Sequence, residues 1–238
     1  MRIMMGKILE SIARPFRDSA RINRKVVVGT LERLSPGGLF LEVGPGEAPL
    51  LDSIRISGKQ KIFIDLPGAF PKNKVSGVRY IEQDAGVEQW KVGAESVDVV
   101  VSSQCLEHIP HTDHFISEAR RVLKKEGALL LSVPNQGALA FILMMLLTVN
   151  PTMNEVSDHY IGLGNPFSTH RYKKRENYHG HAHLRLFSIR AMKDLLKVYG
   201  FSVVKCHGGT WGLPLIGEAL ARMIPYYGLF TIVMARKI

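Results

Sequence analysis

Short apolar runs separated by longer stretches of mixed polarity set the rhythm of this chain. LFLEVG, KIFIDL, VRYIEQD, SVDVVVSS and ALLLSVPN are runs rich in β-branched and large apolar residues, and each is followed by turn-forming or helix-periodic sequence. Val26 to Leu34 (VVVGTLERL) has the spacing of a helix that ends just before the first run. A helical stretch is expected after LFLEVG as far as Ile54, and another from about Thr112 to Lys124. Alternation of this kind predicts an α/β fold with a parallel sheet covered by helices on both faces.

After Asn135 the alternation stops for about 50 residues, more than a connector in a compact domain needs, so a functional insertion is expected there. It resumes at Leu186 with FSIRAMKDLLKVYG, where Ser188 can cap a helix and Gly200 can end it. The strand FSVVKC follows, then a second interruption from Trp211 to Tyr227, then the terminal strand LFTIVMARK. The expected organisation is a basic helical segment over residues 1–36 and one domain over 37–238. Segments 136–185 and 210–227 would be inserted over the carboxyl edge of the sheet, the edge at which such folds bind ligands.

Composition narrows the class. The chain has 238 residues, 46% hydrophobic and 22% charged, enough to bury a full core. Its 31 Lys and Arg against 21 Asp and Glu give a net charge of +10, which favours anionic partners without choosing among them. Two widely separated cysteines, Cys105 and Cys206, suggest neither a disulfide framework nor a thiolate metal site, and a reducing cytoplasm is expected. Lys7 and Glu10 interrupt any signal-peptide core. The most apolar window, Ala138 to Val149, is shorter than the roughly 20 residues that span a bilayer, so it reads as a buried or interfacial helix.

The stretch FLEVGPGEAPLL, from Phe40 to Leu51, carries the first chemical signal. A dinucleotide fingerprint needs G-x-G-x-x-G, but Pro49 stands where its third glycine belongs, and no G-K-[ST] follows to make a phosphate loop. A ligand with a nucleoside and a charged amino-acid tail but no phosphates fits better. Gly44 and Gly46 would let the main chain approach it, and the N–H groups of the next helix could receive its carboxylate. S-adenosylmethionine has that shape. Asp65, ending KIFIDL, stands where an acid can bind ribose hydroxyls, and Asp84 in YIEQDAG could receive the adenine amine.

In that order these motifs, followed by VDVVVSSQCLEHIPHTDHFISEARRVLKKEGALLLSVPN, resemble the small-molecule class I methyltransferases often called type 11. The resemblance covers about residues 39–135, 186–205 and the last strand, with Ala48 where the family has its usual third glycine. It implies a Rossmann-like seven-stranded, mostly parallel sheet with an antiparallel last strand and a helical, apolar insertion after strand 5. It also implies S-adenosylmethionine contacts from Glu42, Gly44, Pro45, Gly46, Asp65, Leu66, Asp84, Ala85, Ser103 and Gln104.

Methyl transfer from a sulfonium needs alignment and exclusion of water, and a base where the acceptor must lose a proton, but no metal. His108, in the family's EHI segment, and His183, just before LRLFS, are the candidate bases. His179, His181 and His183 alternate and could, with His170 or Asp158, hold a metal; a substrate-facing role for His183 is the preferred expectation, with no metal site. The acceptor is expected to be small or amphipathic, a lipid, isoprenoid or lipid-linked glycan. The apolar insertions and the amphipathic N-terminus (Ile3, Met4, Ile8, Leu9 and Ile12 against Arg2, Lys7, Arg14 and Arg17) point to an anionic membrane surface bound peripherally. Core packing or a homodimer interface is the alternative use of those apolar segments. An RNA methyltransferase would rest on HRYKKRENY (His170 to Tyr178) and on charge alone, and is disfavoured; a non-catalytic binding protein would show damaged cofactor motifs.

Overall fold

A computed structural model describes residues 18–34, 38–54, 59–70, 74, 77–151, 153–157, 159–166, 168, 172–174, 182–213 and 216–238. The expected amphipathic start of the chain and most of the histidine-rich and basic stretch, including His170, His179, His181 and Asp158, lie outside them.

Seven strands form one sheet: β1 (Gly38–Val43), β2 (Lys59–Asp65), β3 (Val78–Glu82), β4 (Val97–Ser103), β5 (Leu123–Pro134), β6 (Phe201–His207) and β7 (Phe230–Lys237). Their spatial order is β3-β2-β1-β4-β5-β7-β6. Strands β1 to β5 pair in parallel, and β7 runs antiparallel to both β5 and β6. The expected mostly parallel sheet with an antiparallel last strand is what forms.

Alternate residues of the strands feed two cores, as the two-residue repeat requires. Leu41, Val43, Val100, Leu129, Leu131 and Val233 face a layer made by α2 (Thr112–Val122) and α4 (Ile189–Val198), which bury Phe115, Ile116, Met192 and Leu196. Phe40, Phe63, Val99, Val101, Leu130 and Ile232 face the opposite layer, where α1 (Ser19–Leu31) buries Val27 and Leu31 and α3 (Leu139–Leu146) buries Phe141. In α4 the predicted cap is present: Ala191 N donates to Ser188 Oγ at 3.2 Å, and Gly200 follows the helix with φ +71°.

Two local expectations are corrected. The segment after the glycine turn is a single 3₁₀ turn at Leu51–Ser53 rather than a helix through Ile54. Helix α2 stops at Val122, because Leu123 already pairs with Val97 and the chain then bulges, Glu126 at φ +60°, before Ala128 rejoins the ladder opposite Val99. The second interruption supplies α5 (Gly217–Met223) and a 3₁₀ turn at Pro225–Tyr227. No helix among the described residues is long and apolar enough to cross a membrane. The outer sides of α3 and α5 are nonetheless greasy, with Leu143, Leu146, Leu147, Ile216 and Met223 all exposed.

Candidate active site

The carboxyl ends of β1, β2, β3 and β4 converge on a cleft of about 190 Å³. Gly44, Asp65, Leu66, Asp84, Ala85, Gln104 and His108 all line it, together with Val43, Ile64, Gln83, Cys105, Ile109 and Pro110. Glu42, Pro45, Gly46 and Ser103 stand outside its wall.

Glu42 works from behind. Its buried carboxylate accepts Leu50 N and Leu51 N, both at 2.9 Å, and so closes the turn onto the end of β1. Burial pushes its pKa up to about 7, against the pull of those two amides and of Arg24. Leu50 N and Leu51 N are thus engaged by Glu42. Asp65 is bonded in a different manner: Oδ2 accepts Gly46 N and Oδ1 accepts Leu66 N, each at 2.8 Å. A carboxylate has about four lone-pair sites, so acceptor capacity remains for a diol on the cleft side. Burial raises the Asp65 pKa while the two amides lower it. Asp84 accepts Gly86 N through Oδ1 at 2.8 Å.

Gly44 holds a left-handed backbone, φ +72°, and a Cβ there would collide with Cys105 Sγ. The constraint is therefore set by the cleft's own floor as well as by any ligand. Burial, chiefly, pushes the Cys105 thiol up to about 12, so it serves as a small apolar side chain and not as a nucleophile. Gln104 carries a left-handed backbone without being glycine, φ 55°, held by its N–H on Ser132 O at 2.7 Å.

Beside the cleft, the segment after β4 meets the end of the large insertion. Leu184 N and Arg185 N both donate to Glu107 O, at 2.8 and 3.2 Å, and this tether brings the rings of His183 and His108 to 4.8 Å between centroids. His183 Nδ1 lies 3.1 Å from Met153 O. A carbonyl can only accept, so Nδ1 carries the proton and the neutral ring keeps its acceptor at Nε2. His108 Nε2 lies 4.0 Å from Glu107 Oε1. Glu107 is 1% exposed, both its carboxylate oxygens lack a hydrogen-bond partner among the described residues, and burial pushes its pKa up to about 8. Donor atoms of Glu107, His108 and His183 all fall within 4.8 Å of one another, a set that could also hold a metal ion.

Sequence reasoning missed the part played by α1. Arg24 donates to Ala48 O at 2.7 Å and Pro49 O at 2.8 Å, clamping the glycine turn. The buried Asn23 donates to Ser103 Oγ at 3.3 Å and accepts from Ser132 Oγ at 2.6 Å. Ser103 is thereby directed to α1, and its contribution to the site is to fix the end of β4. A polar Asn23 at the helical spacing of Val27 and Leu31 was the available signal.

A sheet of this order, with a glycine turn after β1 and acids ending or following β2 and β3 on one cleft, defines the class I type of S-adenosylmethionine-dependent methyltransferase. The acidic wall suits a cationic sulfonium, and the residues present fit the donor. The family model described as "Methyltransferase domain" matches residues 17–206, and the chain belongs to that family. A Mycobacterium tuberculosis protein named as a probable S-adenosylmethionine-dependent methyltransferase is 33% identical over 97 residues, 40% of this chain and 35% of that protein. A ubiquinone biosynthesis O-methyltransferase of Xanthomonas axonopodis is 32% identical over 148 residues, 59% of this chain and 58% of that one. The matches thus span about a third to somewhat over half of these relatives' lengths. Among solved structures, a chain of the Haloferax volcanii complex of the Trm112 methyltransferase activator with a methyltransferase aligns with TM-score 0.59 at 11% identity, over 94% of this chain and 93% of that one. A Thermotoga maritima S-adenosylmethionine-dependent methyltransferase aligns at 0.55 and 19%, over 92% and 91%. At those identities the likeness is one of fold. Family and relatives indicate S-adenosylmethionine as the cofactor.

Proposed function

We propose that this chain methylates a hydroxyl of a small amphipathic acceptor, with His108 as the proton acceptor and His183 as its partner. The observation that carries the proposal is the approach of these two rings, 4.8 Å apart, beside a cleft lined by Asp65 and Asp84. When bound, S-adenosylmethionine supplies a methyl group on an already activated sulfonium. Asp65 would hold its ribose diol, Asp84 and Ala85 would meet the adenine side, and Gly44 and Gln104 would border the remainder. His108, on the cleft wall, takes the acceptor's proton. His183, its tautomer fixed by Met153 O, accepts through Nε2 and orients that ring or relays the proton. Glu107, neutral near pH 7 by burial, adds no charge that would compete for the sulfonium.

An oxygen acceptor is favoured over a nitrogen one because the site gathers bases where an alcohol needs one. The similarity to a ubiquinone biosynthesis O-methyltransferase supports the same choice. The exposed apolar residues of α3 and α5 support an acceptor with a hydrocarbon part, an isoprenoid phenol or a lipid, and association with a membrane surface.

The test is calorimetry with S-adenosylmethionine and S-adenosylhomocysteine, then transfer of labelled methyl to hydroxylated isoprenoid phenols followed by mass spectrometry. Binding of both and an O-methylated product are expected. No heat with either ligand would end the enzyme reading, and a labelled product with the methyl on nitrogen would end the oxygen assignment.

A further inference from the structure

A second concavity of about 260 Å³ lies between α1, the edge formed by β6 and β7, and α5, and shares no lining residue with the cofactor cleft. We infer that this groove is a binding site for a phosphate-type anion, a phosphomonoester or diphosphate group.

Three elements send cations to it. Lys25 and Arg33 come from α1 and its C-terminal end, Lys205 from β6, and Arg222 from α5. All four are solvent-exposed at the rim, so a ligand can reach them. One carboxylate, Glu218, shares the groove, and it sits 3.6 Å from Lys25 Nζ. Arg33, Lys205 and Arg222 have no carboxylate within ion-pair distance among the described residues. Like charges gathered around a concavity raise its potential, and a multiply charged anion lowers that energy by engaging several donors at once.

His207 reports the field from inside. It is half-buried in the same groove, and its pKa is depressed first by burial and then by Arg222 and Lys205, with Glu218 acting the other way. Arg222 and Lys205 thus reach the imidazole as well as the rim, with Glu218 opposing them.

The remaining floor is apolar, made by Leu130, Ile232 and Met234. Cationic rim and apolar floor together suit a phosphate carried on an organic group better than a simple halide. The groove is independent of the methyl-transfer reading. It does bear on it physically: Lys25 follows Asn23 and Arg24, which hold the end of β4 and the glycine turn.

The experiment titrates inorganic pyrophosphate into the full chain, following the His207 ring by NMR and heat by calorimetry. Saturable binding is expected, with the His207 titration midpoint moving to higher pH because the anion offsets Arg222 and Lys205. The double variant Lys205→Ala/Arg222→Ala should bind pyrophosphate at least tenfold more weakly while its circular dichroism and S-adenosylhomocysteine affinity stay unchanged. Vesicles with and without phosphatidylglycerol distinguish the source. Vesicle binding that pyrophosphate displaces and the double variant loses assigns a lipid headgroup; pyrophosphate binding without vesicle binding assigns a soluble phosphorylated ligand. The inference is overturned by an unmoved His207 at millimolar pyrophosphate, by equal affinity in the double variant, or by an RNA oligomer binding through these residues where pyrophosphate does not.

Discussion

The cofactor cleft and the α1 groove are two concavities of one chain with opposite electrostatic character. The first is walled by Asp65 and Asp84, and the second is rimmed by Lys25, Arg33, Lys205 and Arg222. The chain's net charge of +10 would by itself predict positive surfaces throughout. Position along the sheet overrides it: acids stand at or just beyond parallel strand ends, where backbone amides such as Gly46 N and Leu66 N hold their carboxylates, while the basic residues stay at solvent-exposed rims. The contrast teaches that ligand sign is set locally, by which groups the backbone holds in place, and that overall charge is a guide only to long-range attraction.

The strongest way to break the comparison is to remove chemistry from one side alone. His108→Ala should lower kcat by roughly 10²–10⁴-fold, the range of a general base, and change S-adenosylhomocysteine binding far less than turnover; steady-state kinetics and calorimetry on the same preparation decide it, and unchanged turnover would make His108 structural. Gly44→Val comes next. A branched side chain at φ +72°, driven into Cys105 Sγ, should abolish measurable cofactor binding and lower the thermal midpoint, with pyrophosphate binding to the groove retained in protein that still folds.

Glu107 gives a pH test. Its pKa is about 8 folded against an ordinary 4.5, so between those values the folded chain holds a proton that the unfolded chain has lost. Unfolding free energy must then fall as pH rises through that window, and Glu42, raised to about 7, adds the same sign. Urea melts from pH 5 to 9 should show Glu107→Gln with a flatter profile, the gap reaching on the order of a few kcal/mol at the alkaline end. Parallel profiles would show that Glu107 ionises normally.

Asp65→Ala should weaken S-adenosylhomocysteine binding by about 1–3 kcal/mol, through lost hydrogen bonds to the ribose and release of the Gly46 and Leu66 amides. An unaffected affinity would detach the acid from the ligand. The smallest effect sharpens the contrast: Lys205→Ala/Arg222→Ala should change S-adenosylhomocysteine affinity less than about twofold, since neither side chain lines the cofactor cleft.

Much of this is legible in the amino-acid sequence. Alternation of β-rich runs with helical periods gave the order of strands along the chain, Ser188 and Gly200 marked the ends of α4, and the acids of KIFIDL and YIEQDAG were found at the cleft. These features are local, because side-chain period, capping and turn conformation act over a few residues.

What stayed hidden is non-local. Glu42 matched a cofactor motif, yet it turns its carboxylate to Leu50 and Leu51; Ser103, expected in the pocket, answers to Asn23. His183 meets His108 because the insertion's end bonds to Glu107 O, and the basic groove exists because β7 runs antiparallel beside β6, bringing the edge strand between α1 and α5. The sequence alone determined the strands and which turn needs glycine, since those are decided by neighbours in the chain, while the helix expected after that turn became a single 3₁₀ turn. Only tertiary packing decided which side chains share a cavity, because that depends on how the sheet is ordered and on which distant backbone groups are left to bond.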